Sequence, residues 1–113
     1  MEVKRIVANI AAAVSKARMF YADILGLKVT MDLGWIVTFE APAHAQPQLS
    51  VAAQGGSGTA VPDLSVEVDD LALHSIRAAA IPIEYGPVSE EWGVRCFYVK
   101  DPFGRFVNIL AHE

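Results

Sequence analysis

Short apolar runs rich in β-branched residues alternate with stretches of helical spacing along this chain. Residues 3–10 form the first such run, and residues 11–25 then carry apolar side chains every three or four positions up to Gly26. The run predicts a strand and the spacing predicts a helix, which Gly26 ends because glycine tolerates a left-handed backbone. Three more strands are predicted over residues 27–32, 35–40 and 48–53.

The second half of the chain repeats this order. Residues 54–60 include three glycines within four positions, which is typical of a linker. Beyond them the pattern predicts a strand over residues 63–68, and then a helix that Asp69 or Asp70 caps and that continues to Ala80. The remaining segments are predicted as strands over residues 81–85, 93–99 and 105–111, with a loop over residues 86–91.

This duplicated order predicts one α+β domain over residues 1–113, in which the linker 54–60 joins βαβββ modules 1–53 and 61–113. One helix covers one face of each module's sheet, so side chains of one parity are covered and those of the other are open to a ligand. The parity expected to be covered consists of Ile6, Ala8, Ile10, Leu49, Val51, Leu64, Val66, Val68, Val107 and Ile109. The opposite parity consists of Arg5, Val7, Asn9, Gln48, Ser50, Ala52, Asp63, Ser65, Glu67, Phe106, Asn108 and Leu110.

The composition is that of an ordinary globular domain. Of the 113 residues 53% are hydrophobic and 19% are charged, which excludes a disordered chain. The 13 acidic residues outnumber the 9 basic ones, which argues against a nucleic-acid binder, and no apolar stretch approaches the roughly 18 residues of a membrane helix. Cys96 is the single cysteine, and we expect a plain buried sheet residue there. With one cysteine and no secretory signal, the expected location is cytoplasmic.

Two segments carry a resemblance to a known family. Residues 20–29 read Phe-Tyr-Ala-Asp-Ile-Leu-Gly-Leu-Lys-Val, and residues 100–109 read Lys-Asp-Pro-Phe-Gly-Arg-Phe-Val-Asn-Ile. In this order, around a central duplication, they resemble the first helix end and the closing hairpin of the vicinal oxygen chelate superfamily. That superfamily contains glyoxalases, bleomycin resistance proteins and extradiol dioxygenases. The resemblance implies two βαβββ modules whose curled mixed sheets form a cleft.

Enzymes of this superfamily hold a divalent metal with His or Glu from the first and last strands of each module. The resemblance places these positions on Val7, on Ser50 (or Gln48 if the register differs by two), on Asp63 and on Asn108. Valine cannot ligate a metal, and serine and asparagine are weak neutral ligands. We therefore expect no metal and no other cofactor. The histidines share no ligand spacing either, at His44, His74 and His112.

Aromatic and basic side chains are the first candidates for contact with a ligand. Trp35 and Trp92 offer flat apolar surface at a strand start and in a loop. Arg95 offers a bidentate partner for an anionic group.

Two carboxylates share one face of the predicted strand 63–68. Asp63 and Glu67 have the chemistry to hold a cation or to act as acid and base. The alternative interpretation is that they face water or pair with Arg5 or Arg95. The predicted ligand-binding residues are Trp35, Phe39, Ser50, Asp63, Glu67, Trp92, Arg95 and Asn108.

Two functions are compatible with these residues. The first is a metal-free binding protein, similar to the bleomycin-resistance branch, that sequesters an aromatic or cationic amphipathic small molecule such as an antibiotic or a metabolite. For this branch the resemblance implies a homodimer, with or without exchanged modules. The alternative is a lyase, isomerase or dioxygenase of the glyoxalase type. It would use a displaced metal site of Asp63, Glu67 and His44 or His112, or one of the two carboxylates as a metal-free base.

Overall fold

The computed structural model describes residues 2–42, 44–69 and 73–113 of the chain. In this part of the chain the strands are β1 (Val3–Ala11), β2 (Lys28–Asp32), β3 (Ile36–Glu40), β4 (Gln48–Ala52), β5 (Leu64–Val68), β6 (Ile83–Ser89), β7 (Val94–Lys100) and β8 (Phe106–His112). They are hydrogen-bonded neighbours in the order β2-β3-β4-β1-β5-β8-β7-β6. β1 is parallel to β4 and β5 is parallel to β8, whereas β2–β3, β3–β4, β6–β7 and β7–β8 are antiparallel. The predicted α+β class with a mixed sheet is confirmed.

Two compact units divide the chain. The first, Val7–Val61, holds most of β1 with β2, β3 and β4, and we call it the N-terminal unit. The second, the C-terminal unit, joins residues 2–6 to Pro62–Glu113 and so contains β5, β6, β7 and β8. The stretch predicted as a linker closes into a turn, in which the Gly55 N–H donates to the Thr59 carbonyl at 2.8 Å.

The first helical segment begins later than the spacing predicts. The Ala12 N–H donates to the Ala52 carbonyl at 3.0 Å, so the backbone there is used by the pairing of β1 with β4. Helical structure starts as a 3₁₀ turn at Val14–Lys16 and continues as a π-helical segment at Arg18–Ile24. Gly26 follows with a φ of 78°, which confirms its predicted role in ending the helix.

This helical segment covers the face of β4 that the alternation predicts, together with the face of β3 beside it. Ala17, Val37, Phe39 and Val51 form a buried cluster in the N-terminal unit. The Tyr21 ring packs on this cluster, with its centroid 5.4 Å from that of the Phe39 ring. Removing this apolar surface from water is the main force that holds the helical segment on the sheet.

β1 departs from the expected burial. Ile10 has the predicted parity because it lies beside Val51 of β4, yet it is 41% exposed. Val7, with the opposite parity, is 5% exposed. Among the described residues, the side chains that pack in the cluster of the N-terminal unit come from the helical segments, their C-terminal end and β2, β3 and β4. The helical segment therefore leaves Ile10 of β1 uncovered.

A short helix, Leu73–Ala78, follows β5 in the C-terminal unit. Asp70, one of the two predicted caps, lies outside the described residues, and so does the side chain of His74. Asp69 Oδ1 accepts a hydrogen bond from the Glu2 N–H at 2.8 Å, which ties the beginning of the chain to the end of β5. Within the described ranges, no helix has both the length and the apolar character needed to span a membrane.

The loop predicted over residues 86–91 is wrong for residues 86–89, because β6 extends to Ser89 and pairs with β7. Gly86 and Pro87 read as a turn in the sequence. In the structure Gly86 lies inside the strand with a φ of 79°, and a Cβ added there would come within 2.6 Å of the Cys96 carbonyl oxygen. The ladder is irregular at this point but does not end, which is how sheets accommodate glycine and proline next to an edge.

Candidate functional site

Two of the four metal positions implied by the resemblance lie in the N-terminal unit. Val7 is buried and offers no donor atom. The Ser50 hydroxyl is also buried, and it shares a 2.7 Å hydrogen bond with Thr38 Oγ1 on β3. Gln48, the alternative position, donates from Nε2 to Glu40 Oε1 at 2.9 Å. Both polar candidates in this unit therefore bond to the neighbouring strand.

Asp63, the third implied position, ties the starts of β5 and β8 together. Its N–H donates to the Phe106 carbonyl at 2.9 Å, and its Oδ2 accepts from the Phe106 N–H at 3.0 Å. Arg105 Nη1 lies 3.9 Å from Asp63 Oδ1, and both side chains are exposed. An ion pair this exposed contributes little, so the backbone hydrogen bonds define what Asp63 does for the structure.

Asp63→Ala is expected to lower the free energy of unfolding by about 1 kcal/mol, because it removes the acceptor of the Phe106 N–H. Asp63→Asn keeps an acceptor oxygen without the charge and is expected to cost clearly less. Urea unfolding followed by circular dichroism measures both variants. If Asp63→Asn costs as much as Asp63→Ala, the charge is what matters and the assigned strand-tying role is wrong.

The residues at these positions do not fit a divalent metal. Apart from Asp63 they offer a hydroxyl, an amide and an alkyl group. In the described ranges, no three His, Cys, Asp or Glu side chains are grouped so that they could hold an ion. The displaced set does not assemble either. His112 Nε2 lies 3.7 Å from Glu67 Oε1, but Asp63 is four residues away along an extended strand, about 13 Å. His44 belongs to a turn of the N-terminal unit.

The fourth implied position, Asn108, lies on a face of the C-terminal unit that strand pairing defines. Asn108 lies between Ser65 on β5 and Tyr98 on β7, and Tyr98 packs against Tyr85 on β6. The adjacent row across the same strands consists of Glu67, Leu110 and Cys96. Residues directly opposite one another in a sheet share a face. We call this set the C-terminal open face: Ser65, Glu67, Tyr85, Cys96, Tyr98, Asn108 and Leu110.

Asn108 carries the most unusual feature of this face. Its Oδ1 is buried and accepts no hydrogen bond, and it is the one buried side-chain nitrogen or oxygen without a partner among the described residues. A buried acceptor left unpaired costs about 1–3 kcal/mol, so native proteins rarely keep one. Placed among tyrosine rings and apolar groups, this oxygen has the chemistry to accept a hydrogen bond from a bound molecule.

Two carboxylates at or next to this face, those of Glu67 and Glu90, already have bonding partners. Arg5 Nε lies 2.9 Å from Glu67 Oε1, and the Glu67 side chain is 15% exposed. This contact confirms the interpretation of Glu67 as a partner of Arg5. Glu90 is buried directly after β6 and accepts a 2.6 Å hydrogen bond from the Tyr85 hydroxyl. Arg5 therefore balances the charge of Glu67, and the neutral Tyr85 hydroxyl holds the carboxylate of Glu90 in place.

Cys96 contributes apolar surface to the face. It is a free, buried cysteine that packs with Val94, Tyr98 and Leu110, as predicted for a plain sheet residue. Burial, and to a lesser degree the charge of Glu90, raise the pKa of its thiol to about 11. The thiol stays protonated at neutral pH, so Cys96 acts as a small apolar group and not as a nucleophile.

The structure brings together two of the predicted ligand-binding residues, Glu67 and Asn108, and places two others elsewhere. Phe39 is fully buried on the covered face of the N-terminal unit, under the helical segment, which corrects the expectation of a ligand contact. Arg95 projects from the other face of β7 and donates from Nη1 to Ser89 Oγ at 3.4 Å. The predicted anion contact of Arg95 is therefore not part of the C-terminal open face.

The two tryptophans lie in turns. Trp35 precedes β3, and its carbonyl accepts from the Ala53 N–H at 2.9 Å. Trp92 lies between β6 and β7 and is 36% exposed. Neither stands in the paired rows of the C-terminal open face. Tyr85 does, although it was not predicted. The sequence does contain an indication that Tyr85 lies on a strand, because apolar residues alternate at positions 83 and 85. Gly86 hides this indication, since a glycine before a proline is typical of a loop.

One protein family matches this chain over nearly its whole length. The chain matches the family model described as a glyoxalase-like domain over residues 4–112. Comparison with curated proteins finds no match.

Solved structures with a similar fold are distant in sequence. An NAD-dependent benzaldehyde dehydrogenase from Legionella pneumophila is 17% identical with a TM-score of 0.75, over 96% of this chain and 99% of that one. A glyoxalase/bleomycin resistance protein/dioxygenase superfamily member from Vibrio splendidus 12B01 is 17% identical with a TM-score of 0.65, over 99% of this chain and 100% of that one. The Mn(II)-bound glyoxalase from Novosphingobium aromaticivorans is 15% identical with a TM-score of 0.59, over 97% of this chain and 38% of that one. At these identities the similarity concerns the fold.

Proposed function

Since the chain belongs to the glyoxalase-like domain family, we propose that it binds a small molecule on the C-terminal open face and does so without a metal. The observation that carries this proposal is Asn108 Oδ1, a buried acceptor without a partner. It stands where the family's enzymes keep a metal ligand. A neutral amide is a weak metal ligand, whereas it is a good hydrogen-bonding group for an organic molecule.

The remainder of the face has the composition of a ligand site. Sites for small molecules are mostly apolar and aromatic, with a few polar groups that fix the orientation of the ligand. The apolar part here is the buried cluster of Cys96, Tyr98 and Leu110, and the half-buried Tyr85 ring packs at its margin, where a ligand can contact it. Binding on such a surface needs no reacting group, so we infer that the protein sequesters its ligand, as the bleomycin-resistance branch does.

Titration of ¹⁵N-labelled protein with bleomycin and with a set of neutral aromatic metabolites tests the proposal. At least one compound is expected to give saturable shifts at the backbone amides of β5, β7 and β8. Shifts confined to β2, β3 and β4, or none with any compound, contradict the assigned site. Metal analysis of protein purified without chelator is expected to show no stoichiometric transition metal, and one equivalent contradicts the metal-free part of the proposal.

A matched pair of variants separates binding on this face from general adhesion to aromatic surface. Tyr85→Leu removes the half-buried ring of the face and is expected to weaken binding about 2- to 10-fold. Phe103→Leu makes the same kind of change at an 85% exposed side chain between β7 and β8, and is expected to leave the affinity unchanged. Equal effects of the two variants would indicate nonspecific association.

A further inference from the structure

We propose that the molecule bound on the C-terminal open face is a neutral aromatic compound whose N–H or O–H donates a hydrogen bond to Asn108 Oδ1. This inference rests on the proposed function and names the class of ligand for the same site. The juxtaposition that carries it is an unpaired buried acceptor beside two packed tyrosine rings, on a face whose carboxylates already have partners.

The unpaired atom requires a donor. Oδ1 is an amide carbonyl oxygen, which accepts hydrogen bonds and cannot donate them. Ser65 and Tyr98 flank Asn108 in the same row and carry hydroxyl groups, yet neither donates to this oxygen. A ligand that presented an ether or carbonyl oxygen there would leave two acceptors facing each other. A ligand with an N–H or O–H removes the cost of the unpaired acceptor on binding.

The acceptor can be brought within reach of a ligand. Asn108 as a whole is half-buried, although its Oδ1 is buried. A half-turn of the planar amide about χ2 would bury its nitrogen in place of the oxygen, so it does not remove the unpaired group. A partial rotation, which the broad and soft χ2 potential permits, turns the oxygen toward a ligand without any movement of the strand.

The pairing of the charges favours a neutral ligand. The Glu67 carboxylate is bonded to Arg5, and the Glu90 carboxylate accepts from the Tyr85 hydroxyl. An anionic ligand would lose its hydration next to the buried Cys96 without gaining a counter-ion, which is costly. A cationic amphipathic compound, compatible with the sequence alone, would find the Glu67 carboxylate already bonded to Arg5.

The tyrosine pair favours an aromatic ligand. The rings of Tyr85 and Tyr98 pack edge to face, with centroids 5.2 Å apart and an interplanar angle of 64°. Tyr98 is 5% exposed, so the half-buried Tyr85 is the ring of this pair that a third ring can contact. Aromatic contacts of this kind add to the free energy gained from buried area alone.

Two pairs of isomers test the proposal: 3-methylindole against 1-methylindole, and p-cresol against anisole. The members of each pair have the same formula and nearly the same apolar surface, but 1-methylindole and anisole lack the donor. Titrations followed by NMR or calorimetry are expected to show that each donor isomer binds about 5- to 100-fold more tightly than its partner. Wild-type protein that binds both isomers of each pair equally overturns the inference.

Variants assign the preference to a residue. In Asn108→Leu the two isomers of each pair are expected to bind within about twofold of each other, because the acceptor is gone. Gln54→Leu makes the same amide-to-alkyl change at an exposed turn position and is expected to keep the full preference. A preference that survives in Asn108→Leu overturns the inference.

Two further outcomes separate this inference from the proposed function. Tighter binding of tryptamine or indole-3-acetate than of 3-methylindole overturns the neutral class but leaves small-molecule binding in place. Binding of bleomycin on this face with no binding of any indole or phenol has the same consequence. Absence of binding by every compound overturns the proposed function itself.

Discussion

Phe39→Ala is expected to lower the free energy of unfolding by about 3–5 kcal/mol. Phe39 is fully buried on β3, and its ring packs against Tyr21 in the same cluster as Val37 and Val51. Truncation removes the aromatic surface and leaves a cavity that paired strands cannot close without breaking their ladder. Since domains of this size are stable by about 5–15 kcal/mol in total, the variant loses a large share of its stability.

Urea unfolding followed by circular dichroism measures this effect. Phe103→Ala is the matched control, because the same atoms are removed from a side chain that is 85% exposed, and its expected change lies within about 0.5 kcal/mol. A loss below about 1 kcal/mol for Phe39→Ala would place Phe39 outside the core. It would also restore the interpretation of Phe39 as a ligand contact, which the structure corrects.

Phe39 also shows where sequence reasoning about the site reaches its limit. β5 alternates apolar with polar residues, and β8 carries Asn108 and His112 at one parity, so the shared face of Ser65, Glu67 and Asn108 follows from the sequence and agrees with the observed pairing. Residues 35–40 instead carry large apolar side chains at both parities. Alternation then gives no way to decide which of them face the helical segment, and the packing of Tyr21 on Phe39 decides it.

The unpaired oxygen of Asn108 could not be predicted at all. The residues that flank it, Ser65 and Tyr98, come from strands far apart in the sequence, and their hydroxyl directions depend on packing. The aromatic part of the face was equally hidden, because Gly86 and Pro87 made the end of β6 look like a loop and separated Tyr85 from its sheet. Strand existence and parity were accessible from the pattern, whereas hydrogen-bond satisfaction required the assembled sheet.

Ser50→Ala and Asn108→Leu are expected to change the stability in opposite directions. The two residues hold equivalent places in the last strands of the two units, since Ser50 lies beside Asn9 on β1 and Asn108 lies beside Ser65 on β5. The difference between them lies in their hydrogen bonds. Ser50 Oγ is 2.7 Å from the buried Thr38 Oγ1, whereas Asn108 Oδ1 has no partner.

The direction of each stability change follows from the polar groups that the substitution leaves without a partner or removes. Ser50→Ala leaves the Thr38 hydroxyl buried and unpaired, so the free energy of unfolding is expected to fall by about 1–2 kcal/mol. Asn108→Leu removes an unsatisfied acceptor and puts an alkyl group of similar size next to Leu110 and Tyr98. The free energy of unfolding is expected to rise by about 1 kcal/mol, because the desolvation penalty disappears and apolar area is gained.

Unfolding curves with and without 3-methylindole connect this stability change to binding. A ligand that binds only the folded state raises the stability by an amount set by its affinity, so the wild-type protein is expected to gain more than Asn108→Leu and to close the gap between them. The stability lost to Asn108 in the free protein is then recovered in the complex. If Asn108→Leu instead destabilises the protein as much as Ser50→Ala does, Oδ1 finds a partner in solution. In that case no group of the C-terminal open face requires a hydrogen-bond donor on the ligand.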